Sequence, residues 1–286
     1  MISVIVVTYN RKLLLIDCLE SILTQKFNKE VEIIVIDNYS SDGTEDFIKE
    51  SFGDRVRFFK NKVRMSLPAC KTLGVNVAKG EVIAFIDDDC ISSKNWINEI
   101  KNLLVDYDFV GGVVLPISNI RFPWWWNKSL DWLIGINTEP SEKFLPLGSN
   151  IAFNKCVLDA LQKNEQNIIL GYNQYLPYAE DNYRIKKALS IGFSMGINPN
   201  MIVYHQIPKQ RLKIAYLLKR SYNEGRAWVT YENRVKNMLF SFSALPYNFV
   251  RLFISLDINR IFRIISNASY ILHYIKAKLM RNAENL

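Results

Sequence analysis

The sequence has little of what a metal knuckle, a stapled secreted scaffold or a membrane span would need. Its 286 residues hold four cysteines, Cys18, Cys70, Cys90 and Cys156, far apart and without a CxxC pair, and only two histidines, His205 and His273. Neither a zinc knuckle nor a disulfide framework is therefore expected. Twelve glycines and nine prolines exclude a collagenous or Pro/Gly-rich disordered chain. No run reaches the roughly 18 uninterrupted apolar residues of a membrane helix. The closest, 238–275, is broken by Arg251, Asp257, Arg260 and Arg263. The start, Met1-Ile-Ser-Val, has no basic region and no small-residue cleavage site, so no signal peptide and a cytosolic setting are expected. Glycine-loop nucleotide sites are missing too: neither GxGxxG nor GxxxxGK[ST] follows the first apolar run.

What is present is a foldable composition, 49% hydrophobic and 13% aromatic, with enough chain for a sizeable core. The formal charge is +8, from 36 Lys and Arg against 28 Asp and Glu. It is unevenly spread. Residues 207–286 carry 14 basic and 4 acidic side chains, a net of +10, whereas residues 1–206 carry 22 and 24, a net of −2. A basic balance admits nucleic acid, an anionic membrane or an anionic substrate as partner.

Short β-branched runs and amphipathic stretches alternate along the first hundred residues. Ile2–Val7, Val31–Ile36, Val56–Lys60 and Val82–Ile86 read as buried strands, and Leu13–Leu23, Glu45–Glu50 and Pro68–Ala78 as helices. That spacing belongs to βαβ units, so an α/β fold with a mainly parallel central sheet flanked by helices is expected. Gly111–Leu115 and Met201–Tyr204 read as further strands. Ligands of such sheets bind beyond the carboxyl ends of the strands. Three of the first four strands end in polar or acidic groups, Thr8–Arg11, Asp37 and Asp87-Asp88-Asp89, which should converge on one cleft.

Consecutive carboxylates at a strand end suit a hard divalent cation that can bridge to a diphosphate. Alternation along an extended chain would put Asp87 and Asp89 on one side and Asp88 on the other, which favours Asp89 with Asp87 as ligands. The competing reading is a solvated turn or a helix cap, but three charges at the edge of a buried strand are costly without a counter-ion. Asp37 alone could equally be a turn residue. Glu180-Asp181 could simply cap a helix over 182–188. His205, at a strand end, is either a metal or diphosphate ligand or a hydrogen-bonded structural residue. Trp124-Trp125-Trp126, with Phe122 and Trp132, could stack on a sugar face, lie at a bilayer interface or plug the core. The segments 212–226 and 258–280 read as basic amphipathic helices. They would either lie on an anionic membrane or pack against the rest of the chain or a second copy, giving a homodimer.

Taken together, Val4–Arg11, Ile34–Thr44, Ala78–Asp89, Gly148–Phe153 and Ala179–Asn182 resemble the inverting glycosyltransferases of family 2, which have the Rossmann-like GT-A fold. The resemblance covers residues 1–206 and leaves out the last 80. It implies a catalytic domain over 1–206, and charge and amphipathic pattern make 207–286 a basic helical C-terminal region. It further implies a nucleotide-sugar donor, most simply a UDP-sugar, a glycan or lipid-linked acceptor, and Mn²⁺ or Mg²⁺. Thr8, Tyr9, Asn10, Arg11 and Lys71 would line the nucleotide pocket, and Asp37 would accept from the uracil imide. Asp87 would meet the ribose or a metal-bound water, and Asp88 would lie at the donor nucleotide. Asp89, with Asp87 and His205, would hold the metal. Gly148, Ser149 and Asn150, with Trp124 and Trp125, would form the acceptor side, and Asp181 would be the general base beside Glu180. From the basic helices of the last 80 residues, the expected place of work is the inner face of the cell membrane, as a peripheral protein.

Two positions depart from the family pattern. Cys70-Lys71-Thr72-Leu73-Gly74 stands where Ala-Arg-Asn-x-Gly is common, so Lys71 keeps the charge but not the bidentate fork. Tyr172-Asn173-Gln174 stands where an acidic pair is common. Other readings stay open: a sugar-nucleotide nucleotidyltransferase, a GDP-sugar-using transferase making a polyprenyl-phosphate sugar, or a non-enzymatic basic module. An acidic cleft in the first 206 residues argues against nucleic acid as the partner.

Overall fold

The computed structural model describes residues 1–25, 31–118, 120–141, 145–164, 180–231, 235–255 and 258–284. The departure noted at 172–174 lies outside them. The strands are β1 (Ile2–Thr8), β2 (Val31–Asp37), β3 (Arg57–Lys60), β4 (Val82–Ile86), β5 (Cys90–Ser92), β6 (Phe109–Pro116), β7 (Asn150–Asn154) and β8 (Met195–His205). The helices are α1 (Lys12–Leu23), α2 (Thr44–Phe52), α3 (Leu67–Val77), α4 (Trp96–Leu103), α5 (Lys155–Asn164), α6 (Glu180–Ser190), α7 (Ile214–Tyr231), α8 (Val235–Ser255) and α9 (Asn259–Glu284).

One eight-stranded sheet has the order β3-β2-β1-β4-β7-β6-β8-β5. The pairs β3-β2, β2-β1, β1-β4 and β6-β8 are parallel, while β7 runs antiparallel to both β4 and β6. The expected mainly parallel sheet is therefore found, with antiparallel strands on its second half. Alternation along the central strands sends their side chains to two cores. Val4, Val6, Ile33 and Val35 pack with Leu15, Leu19 and Ile22 of α1 and with Trp96, Ile97 and Ile100 of α4. Ile5, Ile34, Ile36 and Phe85 pack on the other face with Val75 of α3, Leu158 of α5 and Ile185 of α6. The helix α3 starts where the sequence provides a cap, the Ser66 hydroxyl accepting from Ala69 N–H with Pro68 in the first turn.

Register explains why distant segments meet at one sheet edge. Thr8 pairs with Asp37, so β1 and β2 end together. Because β7 runs antiparallel, it starts where β4 ends, with Asn150 opposite Ile86. β8 follows β6 in parallel and finishes at His205, which lies opposite Cys90, the residue after Asp89.

These elements form one compact unit, made of Met1–Ile120, the chain from Gly135 and Glu180–Ile207. A second compact unit contains Arg121–Ile134 and the chain from Pro208 onward. In the latter, α7 crosses α9 at Gly225, where a Cβ would come within 2.0 Å of the Ser266 carbonyl oxygen. The Trp132 indole donates to Asn259 at 3.2 Å, and Tyr270 stacks on Tyr274. Trp124 is 96% exposed, which overturns its reading as a core plug. The neighbouring Trp126 is anchored by donation to Asp131 at 3.0 Å.

Candidate active site

The loop after β1 and the loop after β2 are tied together. The Asn10 backbone N–H donates to the Ser40 hydroxyl at 2.9 Å, and the Asn10 side-chain oxygen accepts from Ser41 N–H at 2.8 Å. Asn10 and Tyr39 hold left-handed backbones, with φ of 49° and 72°, and the first of these suits an asparagine. Asp37 is buried and accepts from the Ser40 hydroxyl and, at 3.1 Å, from Ser40 N–H. Burial pushes its carboxyl up, against the pull of the Ser40 hydrogen bonds. Tyr9 is covered by the Arg64 guanidinium, 3.9 Å from its ring centroid. Arg64 stands in a loop without a motif, so nothing in the sequence singled it out.

The Asp87-Asp88-Asp89 run does not alternate as an extended chain would. Cys90 N–H donates to the Asp87 carbonyl at 3.0 Å, which marks a turn, and the turn brings Asp88 and Asp89 to the same cation. Arg11 Nη1 donates to Asp88 Oδ1 at 2.9 Å and to Asp89 Oδ2 at 3.1 Å, while the Thr8 hydroxyl donates to Asp88 Oδ2 at 2.8 Å. Thr8 and Arg11, expected at the nucleotide, thus first hold Asp88. Burial pushes the Asp88 carboxyl up to about 6, and Asp89 adds to the rise while Arg11 opposes it.

His205 completes this group. Its Nδ1 lies 3.2 Å from the Gly135 carbonyl oxygen, which can only accept, so Nδ1 donates. Its Nε2 lies 3.4 Å from Asp89 Oδ1. With Nδ1 donating in the neutral ring, Nε2 and the Asp89 oxygen both present lone pairs, which a shared cation could bridge. A carbonyl that fixes the far nitrogen is also the usual outer contact of a metal-bound histidine. The donor set of carboxylate oxygens and imidazole nitrogen therefore fits Mn²⁺ or Mg²⁺. Among the described residues, no three His, Cys, Asp or Glu side chains form a group able to hold an ion alone. A cation here would need further oxygens from a substrate.

The second cluster is built on the first turn of α6. Lys71 is buried and donates to Asp181 Oδ1 at 2.9 Å and Glu180 Oε1 at 3.3 Å. Expected at the nucleotide, Lys71 instead serves the acidic pair, because α3 presents it inward beneath α6. Arg184, one turn beyond Asp181, places Nη1 3.5 Å from the same carboxylate oxygen. The i, i+3 spacing was in the sequence, and this role for Arg184 was missed. Burial pushes Asp181 up, but Lys71 and Arg184 outweigh it and hold the carboxyl below its usual range. Glu180 is pushed up to about 7, by burial and then by the neighbouring Asp181 charge. The two carboxyls thus differ in access as well as charge: the Asp181 side chain is 24% exposed and that of Glu180 only 6%. Asp87 is also pushed up by burial, with Lys71 opposing and the charges of Asp89 and Asp181 adding.

The raised Glu180 carboxyl makes stability depend on pH. A carboxyl raised from 4.5 to about 7 binds its proton more tightly in the folded state, so its contribution is present at low pH and fades as pH rises through that window. Glu180→Gln is expected to flatten the decline in melting temperature between those pH values, measured by thermal melts. An unchanged slope would assign the decline to another group.

Of the residues expected on the acceptor side, Gly148 does bring the chain close to the acidic pair. A Cβ there would fall 1.8 Å from Asp181 Oδ2, so only glycine lets the carboxylate sit where it does. Gly148→Ala is expected to displace Asp181 and lower kcat by about tenfold or more, with donor affinity little changed. Asn150 differs from its expected role. It is fully buried, its Oδ1 accepts from Trp96 Nε1 at 2.8 Å, and its Nδ2 donates to the carbonyls of Val113 and Met201 at 2.8 and 2.7 Å. Those bonds pin β7 to its neighbours. Ser149 is buried as well. Trp124 and Trp125 belong to the second compact unit.

The sequence profile described as Glycosyl transferase family 2 matches residues 3–161, more than half of the chain. The chain belongs to glycosyl transferase family 2. It is 25% identical over 251 residues to the glucosyl-dolichyl phosphate glucuronosyltransferase of Haloferax volcanii, covering 84% of this chain and 78% of that enzyme. Further curated relatives are matched over less than two fifths of their own length. Among solved structures, the mannosyltransferase PcManGT of Pyrobaculum calidifontis, in complex with GDP-Man and Mn²⁺, superposes with a TM-score of 0.59 at 17% identity, over 99% of this chain and 79% of that one. TarS 1–349 of S. aureus, in complex with UDP-GlcNAc, gives 0.57 at 14% identity, over 96% and 89%. At these identities the two structures speak for the shared GT-A-like fold. The family membership makes the chain a glycosyltransferase.

Proposed function

We propose that this glycosyltransferase moves a sugar, with inversion, from a nucleoside diphosphate donor, most simply a UDP-sugar, to a hydroxyl of a lipid-linked glycan. The observation that carries this reading is one sheet edge with two unlike carboxylate groups. One is the cation-hungry set Asp87, Asp88, Asp89 and His205, and the other is the partly exposed Asp181.

Asp181 is ionised near neutrality because Lys71 and Arg184 hold it so. It takes the proton of the attacking hydroxyl, and Gly148 leaves it room to do so. Glu180 supports it from the buried side. Tyr9, backed by Arg64, and Asp37 present a ring and an acceptor to the nucleotide base. Thr8 and Arg11 orient Asp88, and Asn10 fixes the loops around it. Bound at Asp89, Asp87 and His205, Mn²⁺ or Mg²⁺ would supply charge against the departing diphosphate.

Residues 1–206 carry the chemistry in this reading. The basic region 207–286 keeps the protein on the inner face of the cell membrane, where a lipid-linked acceptor resides. Support for such an acceptor comes from the Haloferax relative, whose name specifies a glucosyl-dolichyl phosphate. The test is a transfer assay with UDP- and GDP-sugars, Mn²⁺ and a polyprenyl-diphosphate-linked glycan, with the anomeric configuration of the product read by NMR. Transfer with inversion from a UDP-sugar is expected. A product that retains the donor configuration would remove Asp181 as the base, and turnover with GDP-sugars alone would reassign the nucleotide.

A further inference from the structure

The helix α8 is built inside out. Leu239, Phe240, Phe242, Tyr247, Phe249 and Val250 are all exposed, Phe240 by 69%, while Ser241 and Asn248 are buried. At 3.6 residues per turn, those six side chains spread over about half of the helix circumference, opposite Ser241 and Asn248. Asn248 is held from within by Arg260, whose Nη1 donates to its side-chain oxygen at 2.9 Å. The other helices of the same unit keep large apolar side chains inside, although Ile214 and Leu218 of α7 and Leu272 and Leu279 of α9 are exposed. Leu217 of α7 and Phe262, Tyr270 and Tyr274 of α9 are buried. Among the described side chains of α8 the buried ones are polar and the exposed ones mostly apolar, and an exposed apolar face of that breadth marks an interaction surface.

We propose that this face docks on an anionic lipid bilayer, with α8 lying flat at the interface and its phenylalanines among the acyl chains. The proposal rests on the lipid-linked acceptor of the preceding reading and names the surface that would meet the membrane. Charge selects lipid as the occupant. The helix carries Lys236 and Arg251 and no acidic residue, within a region of net charge +10. An anionic headgroup layer neutralises that charge, whereas a second copy would bring another +10 against it. The helix would lie on the bilayer, because among the described residues no helix is long and apolar enough to cross a membrane. Pro246 also interrupts the helix interior. Trp124, the exposed indole of the same unit, has the chemistry of an interfacial anchor.

The test is flotation of the full chain on phosphatidylcholine vesicles with and without about a third phosphatidylglycerol, at low and high salt. The wild type should float with the anionic vesicles and keep part of its binding at high salt, since apolar insertion is not screened. Phe240→Glu with Phe249→Glu should lower the partition coefficient at least about tenfold, with UDP binding and the circular dichroism spectrum unchanged. If the glutamates disturb the fold, Phe240→Ser with Phe249→Ser should show a smaller loss in the same direction. Equal flotation of variant and wild type would remove this face as the docking surface. Transfer to a lipid-linked acceptor, assayed alongside, then tells whether the underlying reading survives. A wild type that ignores the vesicles and sediments as a dimer, which the variant dissociates, would assign the face to a second copy.

Discussion

Asp181→Asn is expected to lower kcat by about 10²- to 10⁴-fold while leaving donor affinity within about twofold, as measured by transfer kinetics and donor titration. The amide keeps the shape of the carboxylate but cannot take the acceptor's proton. Lys71 and Arg184 would then face one carboxylate fewer, and Lys71, only 3% exposed, would lean on Glu180 alone. Glu180, pushed up to about 7 partly by the Asp181 charge, would ionise more readily once that charge is gone. This gives the experiment a second readout. Where transfer persists in Asp181→Asn and disappears in Glu180→Gln, the base is Glu180 and Asp181 is the positioning residue. Where both variants transfer at wild-type rates, the acidic pair has no part in proton transfer.

Asp89→Asn is expected to weaken donor binding in the presence of Mn²⁺ by about 100-fold or more, and to leave any metal-independent binding unchanged. The argument is local. Asp89 is almost fully buried, one of its oxygens meets Arg11 and the other lies 3.4 Å from His205 Nε2. Removing its charge leaves His205 without the carboxylate with which it would share a cation. His205→Asn should weaken Mn²⁺-dependent binding less, because the oxygens of Asp87 and Asp89 remain. A variant Asp89→Asn that binds donor as the wild type does, with the same Mn²⁺ dependence, would place the cation elsewhere or dispense with it.

Much of the fold was legible because the physical signals were local. Val82–Ile86 is a short β-branched run closed by three aspartates, and it forms a strand with the expected boundaries. The Ser66-Leu-Pro68 start of α3 and the acidic first turn of α6 carry their own capping logic. The meeting of Asp37 with Asp87 to Asp89 at one sheet edge follows from βα alternation and strand register, whereas Asp181 was suggested only by the family resemblance. What escaped the sequence was decided by partners far along the chain. The turn at Asp87 breaks the alternation that would have separated Asp88 from Asp89. Lys71 is drawn to Glu180 and Asp181, about 110 residues away, and Asn150 is consumed by Trp96 and two carbonyls. No local pattern announces such pairings. Likewise α8 has an apolar composition that suggests burial, and only its orientation shows that the apolar side is the exposed one.

The central claim is that the strand ends form a nucleoside diphosphate site that needs a divalent cation. Calorimetric titration of UDP and GDP into the full chain, with Mn²⁺ and with a chelator, tests it most directly. The account predicts tight binding of at least one diphosphate with Mn²⁺, UDP first, and a loss of about 100-fold or more with chelator. Equal affinity in both conditions, or no binding of either diphosphate, would contradict it.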